Sequence, residues 1–142
     1  MSAALLLDNS AWARLSDASL RAERIDEIAS ALEQRRIAVC LPFLLEAGYS
    51  ARNAVEHREL LKELLALPVL SIDTDVERRA IAAQGQLARA GDHRLPPVDL
   101  LMAAIAERHN VGVLHYDSDY DLLSTKTDLR FTSVWLAPRG SI

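Results

Sequence analysis

This 142-residue chain has little of several things, and each shortage closes off a class of function. It has one cysteine, Cys40, so no internal disulfide can form and nothing points to an oxidising compartment. Cys40 lies in an apolar run and reads as a small buried side chain. Basic charge is scarce. Sixteen Lys and Arg against 20 Asp and Glu give a formal charge of -4, so no global positive field holds nucleic acid. Attraction for such a substrate must come from local arginines or bound cations. Long apolar runs are also missing. The uncharged stretch around Cys40 runs from Ile37 to Leu45, far short of the ~20 residues of a membrane span. The N-terminal MSAALLLDNS lacks a basic start and meets Asp8 too early for a signal peptide. The expectation is a soluble, cytoplasmic protein with no membrane partner. Zinc-type clusters are lacking too, because His57, His93, His109 and His115 fall on different elements.

What is present is an ordinary globular composition, 50% hydrophobic and 25% charged, at a length that suits one domain over residues 1–142. No internal repeat, low-complexity tract or linker interrupts it. Ala3 to Leu7 is a short continuous apolar run bounded by Asp8-Asn9-Ser10, which predicts a central strand with Asn9 or Ser10 capping a short helix. Ser19 to Arg36 has apolar residues at helical spacing. Ile37 to Leu41 reads as a second strand, and Pro42 opens a helix carrying Leu45, Glu46 and Tyr49. Gly48 counts slightly against that helix. Ala54 to Leu67 predicts a further helix, stopped by Pro68, and Val69 to Ile72 a third strand. Thr74-Asp75-Val76-Glu77 matches a capping box for a helix to about Ala90.

A helix from Pro97 to about Asn110 follows, with Pro97 in its first turn and Asp99 where a carboxylate suits the free N–H groups. Val111 to Leu114 reads as a strand buried on both faces. Arg130 to Trp135 predicts a last, edge strand. Strands alternating with helices imply an α/β layered fold with a mostly parallel sheet flanked by helices.

In such a sheet, residues just after a strand, or near the start of a crossover helix, gather at the carboxyl edge, where ligands bind. The rule selects Asp8, Glu46, Asp99, Asp117 and Asp119. It is not specific, for it also selects Asp73 and Asp75, and an isolated Asp after a strand is ordinarily a turn or cap residue. Asp119 and Asp121 can also simply start a short helix in DSDYDLL. Carboxylates gathered together repel one another. At ~6 Å and an effective dielectric of ~20 each pair costs roughly 3 kcal/mol. A cluster of acids therefore holds protons or a cation, and oxygen-only ligands favour Mg²⁺ or Mn²⁺.

The ordered set Leu5-Leu6-Leu7-Asp8-Asn9-Ser10, Leu45-Glu46-Ala47-Gly48, Pro97-Val98-Asp99-Leu100-Leu101-Met102-Ala103-Ala104 and Leu114-His115-Tyr116-Asp117-Ser118-Asp119-Tyr120 resembles the PIN-domain ribonucleases. Length and layout are similar to the VapC toxins of bacterial toxin–antitoxin pairs, and the likeness runs from Ala4 to about Trp135. The resemblance implies a three-layer PIN-like fold and Mg²⁺- or Mn²⁺-dependent cleavage of RNA. It makes Asp8 and Asp99 the principal metal ligands, with Glu46 and Asp117 completing the acidic pocket. It gives Asp119 and Ser10 accessory places. Water attacks phosphorus in line, oriented or deprotonated by Glu46 or Asp117. The sequence departs from the family where His115-Tyr116 replaces a commoner Thr-containing sequence and where Tyr120 stands in place of the usual Phe.

Arg89, His93 and Arg94 precede the Asp99 helix and are candidates for phosphate contact, though a solvated polar loop explains them as simply. The aliphatic sides of Ser19–Arg36 and Ala54–Leu67 suit core packing. The resemblance suggests that nearby helices also form a groove for a VapB-like antitoxin segment, with an antitoxin Arg reaching the acids, and that the chain pairs as a homodimer. Two rivals remain at this stage. One is a non-catalytic interaction module of the same fold. The other is a phosphotransfer domain with Asp8 as nucleophile, which lacks the expected Lys near the last strands, since lysine occurs only at Lys62 and Lys126.

Overall fold

The computed structural model describes residues 2–92 and 94–142, so the expectation for His93 lies outside the described residues. Among the described residues, five strands form the sheet: β1 (Leu5–Leu7), β2 (Ile37–Cys40), β3 (Val69–Leu70), β4 (Gly112–His115) and β5 (Ser133–Trp135). Seven helices within the same residues join and cover them: α1 (Asn9–Trp12), α2 (Ala22–Glu33), α3 (Leu41–Tyr49), α4 (Ala54–Leu64), α5 (Thr74–Arg89), α6 (Pro97–Arg108) and α7 (Asp119–Lys126). The sheet order is β3-β2-β1-β4-β5. Every pairing is parallel, with Leu5 opposite Ile37 and Gly112, and Leu114 opposite Val134. The expected mostly parallel sheet is thus wholly parallel among the described residues.

The order fixes where a ligand can sit. From β1 the chain steps outward to β2 and β3, then returns to the other side of β1 for β4 and β5. The winding reverses between β1 and β4, and the crevice at their carboxyl ends is the topological switch point. The apolar runs of β1, β2 and β4 place Leu6, Leu7, Val39, Val113 and Leu114 in the core, as buried parallel strands require. Helix α6 is buried through Asp99, Leu100 and Met102 to Ala106. Its alanines 103, 104 and 106 keep that helix slim enough to be enclosed. Among the described residues, no helix is long and apolar enough to cross a membrane.

Several boundaries differ from the sequence expectation, each for a local reason. Helix α2 starts at Ala22, because Arg21 is extended, and ends at Glu33, with Arg35 turning the chain at φ 57°. Helix α4 gives way to turns after Leu64. The cap of α1 is Asp8, whose side chain accepts the Ser10 N–H, rather than Asn9 or Ser10. The cap of α5 is Asp73, one residue earlier than the apparent capping box, and its carboxylate accepts the Val76 N–H at 2.9 Å. The third strand is cut to two residues, and the last begins only at Ser133 because the Arg130 N–H is drawn to Glu107 Oε2 at 2.7 Å. Gly48 is an asset in its helix: a Cβ there would lie 3.1 Å from His57 Nε2, so its absence lets α3 and α4 approach closely.

Candidate metal centre

Asp8 ends β1. Its N–H donates to Leu114 O at 3.0 Å, tying the first strand to the fourth at the switch point. The side chain is buried, 4% exposed, and Oδ2 accepts from both the N–H and the hydroxyl of Ser10. The same hydroxyl accepts the Tyr116 N–H at 2.9 Å, so Ser10 links the two loops that follow β1 and β4. Asp99 enters from the other side as the third residue of α6, 8% exposed. After β4, the Asp117 N–H donates to His115 Nδ1 at 3.1 Å and Asp117 Oδ1 accepts the Asp119 N–H at 2.9 Å. This local turn aims Asp117 and Asp119 together.

Asp99, Asp117 and Asp119 each place a carboxylate oxygen within 4.8 Å of the others. Burial, and then the charges of Asp8, Asp117 and Asp119, push the Asp99 carboxyl up to about 8. Burial and Asp117 raise Asp119, and burial and Asp8 raise Glu46. Among the described residues, Asp99 Oδ2 is buried and meets no hydrogen-bond donor, its near neighbour Asp117 being another carboxylate. A buried polar atom of this kind is costly unless something meets it. Three converging carboxylates and one orphaned oxygen fit a hard divalent cation with oxygen ligands. Among the described residues, no cysteine or histidine joins the group of three, so its ligand atoms are all carboxylate oxygens.

The structure brings some of the expected site residues together and holds others apart. Asp119, given an accessory place from sequence, stands in the closest cluster. Asp8 and Glu46 are outside that trio. Asp8 reaches it through Tyr120, whose hydroxyl lies 2.7 Å from Asp8 Oδ1 and 3.4 Å from Asp99 Oδ1. Glu46 is exposed on α3, near enough for the Asp8 charge to act on it. Arg89 and Arg94 are exposed, in the last turn of α5 and in the turn before α6. A cation that sequence reading passed over is Arg14. Its guanidinium stacks 4.8 Å from the Tyr116 ring and donates to Ser10 O at 2.9 Å.

Two further residues were visible in sequence only as departures from a family pattern. Tyr120 is fully buried, and burial with Asp8 and Asp99 raises its phenol, so it remains a donor. His115 stacks on it at 4.7 Å and meets Ser133 Oγ at 2.7 Å. Burial lowers the His115 pKa and favours the neutral ring. Cys40 is buried against Met102, and burial pushes its thiol up to about 11, in keeping with a packing role.

Residues 5–126 match the PIN domain family. The chain belongs to that family. Ribonuclease VapC51 of Mycobacterium tuberculosis is 36% identical to this PIN domain over 137 residues, covering 96% of both chains. Ribonuclease VapC11 of the same species is 32% identical, covering 91% of this chain and 98% of its own. Among solved structures, the fold is shared with DNA-bound VapBC from Salmonella typhimurium, TM-score 0.71 at 16% identity, covering 95% of this chain and 99% of that one. It is also shared with VapBC2 of Rickettsia felis, TM-score 0.72 at 14% identity, with the same two coverages.

Proposed function

We propose that this PIN domain is a divalent-metal-dependent endoribonuclease and the toxin of a VapBC-type pair, acting in the cytoplasm. The observation that carries the reading is the meeting of Asp99, Asp117 and Asp119 around the unpartnered Asp99 Oδ2, beside Asp8 at the switch point. These four residues would hold Mg²⁺ or Mn²⁺. A cation so held supplies Lewis-acid polarisation of the scissile phosphate and lowers the pKa of water.

The chain's own groups do the rest. Ser10 fixes Asp8 by two hydrogen bonds to Oδ2. Water attacks phosphorus in line with the leaving oxygen, and Glu46 or Asp117 takes its proton. Glu46 suits that task, because it is exposed on α3 and its pKa is raised by partial burial and by the charge of Asp8. Arg14, with the exposed Arg89 and Arg94, supplies local positive charge for RNA phosphates that the net charge of -4 does not.

An antitoxin partner is supported by a face that the fold leaves uncovered. Leu41, Leu45 and Tyr49 of α3 and Leu65 just after α4 are all exposed, Tyr49 at 92%. With Leu44, His57 and Leu61 they line a groove of about 510 Å³. A single apolar side chain in water needs no explanation, but a contiguous set at helical spacing suits the apolar face of a partner helix. Homodimer formation belongs to the same reading. The deciding experiment is incubation of purified chain with RNA in Mg²⁺, in Mn²⁺ and in EDTA. Cleavage with either ion and none in EDTA is expected, and cleavage that persists in EDTA contradicts the reading.

A further inference from the structure

We propose that Tyr120 is a positioning residue that holds the Asp8 carboxylate with a single acceptor site open toward the metal pocket. The inference rests on the reading of the acids as a metal centre, and it concerns a residue that the acid pattern does not point to. An ionised carboxylate has about four acceptor sites, two on each oxygen. At Asp8 three are filled. The Ser10 N–H reaches Oδ2 at 3.0 Å, the Ser10 hydroxyl also donates to Oδ2, and the Tyr120 hydroxyl donates to Oδ1 at 2.7 Å. One site on Oδ1 remains. Both oxygens cannot grip one cation, so Asp8 ligates through one oxygen in a direction the phenol sets. One-oxygen ligation is the mode a small octahedral ion accepts.

The phenol itself has no freedom. Tyr120 is fully buried, so it touches neither solvent nor substrate and acts through the carboxylates it faces, Asp8 at 2.7 Å and, more distantly, Asp99 at 3.4 Å. Its ring lies against His115 at 4.7 Å and 29°, with Phe131 edge-on at 6.5 Å. His115 is held in turn. Its Nδ1 accepts the Asp117 N–H at 3.1 Å, so Nε2 carries the proton and donates to Ser133 Oγ at 2.7 Å. Ser133 then donates to Asp121 Oδ1 at 2.7 Å, and Trp135 Nε1 donates to the other Asp121 oxygen at 3.0 Å. One histidine ring therefore braces the phenol that orients Asp8 and the backbone that orients Asp117. Outer partners of this kind typically carry 10–100-fold in metal affinity or activity.

The test is Tyr120→Phe, which removes one oxygen and keeps the ring. Mn²⁺ binding is followed by electron paramagnetic resonance, with RNA cleavage and thermal midpoint in EDTA alongside. We expect Mn²⁺ affinity to fall about tenfold or more and kcat to fall about 10–100-fold, with KM for RNA within about twofold. A tyrosine that only packs would move the midpoint and leave Mn²⁺ affinity alone. Unchanged or tighter Mn²⁺ binding in the variant overturns the inference. Failure of the unsubstituted chain to bind Mn²⁺ overturns this inference and the metal-centre reading together. Mn²⁺ binding without RNA cleavage overturns only the ribonuclease reading, and Tyr120 is then judged on affinity.

Discussion

Asp99 and Asp117, on opposite sides of β4 in the chain, bring carboxylate oxygens within 4.8 Å of one another, and Asp119 places one within the same limit of both. Helix α6 delivers the first from its N-terminal turn, and the loop after β4 delivers the other two. Repulsion across such a distance is affordable only with a proton or a cation between the groups. Asp99, with its carboxyl raised to about 8, is the group best placed to take the proton where no cation is bound.

The membership of that trio predicts that Asp119 is a ligand in its own right. Asp119→Asn is expected to weaken Mn²⁺ binding and slow RNA cleavage about tenfold or more. Titration with Mn²⁺ beside a cleavage time course measures both. Wild-type affinity in the variant would return Asp119 to an accessory place.

Much of this centre was legible in the sequence, and the limit has a physical cause. Asp8, Asp99 and Asp117 follow from reading short apolar runs as parallel strands, because parallel strands put their successors on one edge. The sequence ranks Glu46 above Asp119, whereas the carboxylates that converge in the fold are those of Asp99, Asp117 and Asp119. Which carboxylates converge depends on the turn in which Asp117 Oδ1 accepts the Asp119 N–H, and no spacing rule encodes that turn. Tyr120 was harder still. A tyrosine in a short, mostly polar helix carries no sign of what its hydroxyl meets, and here the ring is fully buried. Only the fold brings Asp8, from 112 positions earlier, up to its hydroxyl. The misplaced caps at Asp8 and Asp73 arise because both residues are extended and precede other good capping residues.

The uncovered face of α3 and α4 predicts a partner that needs it. Leu65→Asp places a charge in the groove wall at a half-exposed position, so its effect on stability is expected to stay within about 0.5 kcal/mol. Affinity for the cognate antitoxin, read by calorimetry, should fall at least tenfold. Undiminished affinity would move the docking surface elsewhere.

Away from the acids, Arg79 joins three elements. It grips Glu107 at 2.7 and 3.1 Å and Asp128 at 2.9 Å. The guanidinium holds the Glu107 carboxyl below its ordinary range, so the stability it confers is present above pH 4.5 and is lost as pH falls through the lowered value. Arg79 is partly exposed, and solvent screening limits the effect. Arg79→Ala is expected to cost about 1 kcal/mol at neutral pH, or about 4 °C in the thermal midpoint. The gap should narrow as pH falls below 4.5. A gap independent of pH would mean that the side chain acts by packing alone.

The most direct test of the metal centre is the thermal midpoint of Asp99→Asn beside the unsubstituted chain, from pH 4 to 9, in EDTA and in Mn²⁺. The Asp99 carboxyl is raised from 3.8 to about 8 in the folded state, so its stabilising contribution is complete below 3.8 and is lost as pH rises through about 8. Asparagine does not ionise. In EDTA the variant should therefore gain on the unsubstituted chain as pH rises, standing several degrees above it at pH 8. In Mn²⁺ the order should reverse, because the unsubstituted chain binds the ion and rises while the variant does not respond. A variant that is less stable in EDTA at pH 8, yet equally stabilised by Mn²⁺, would contradict a metal centre at Asp99.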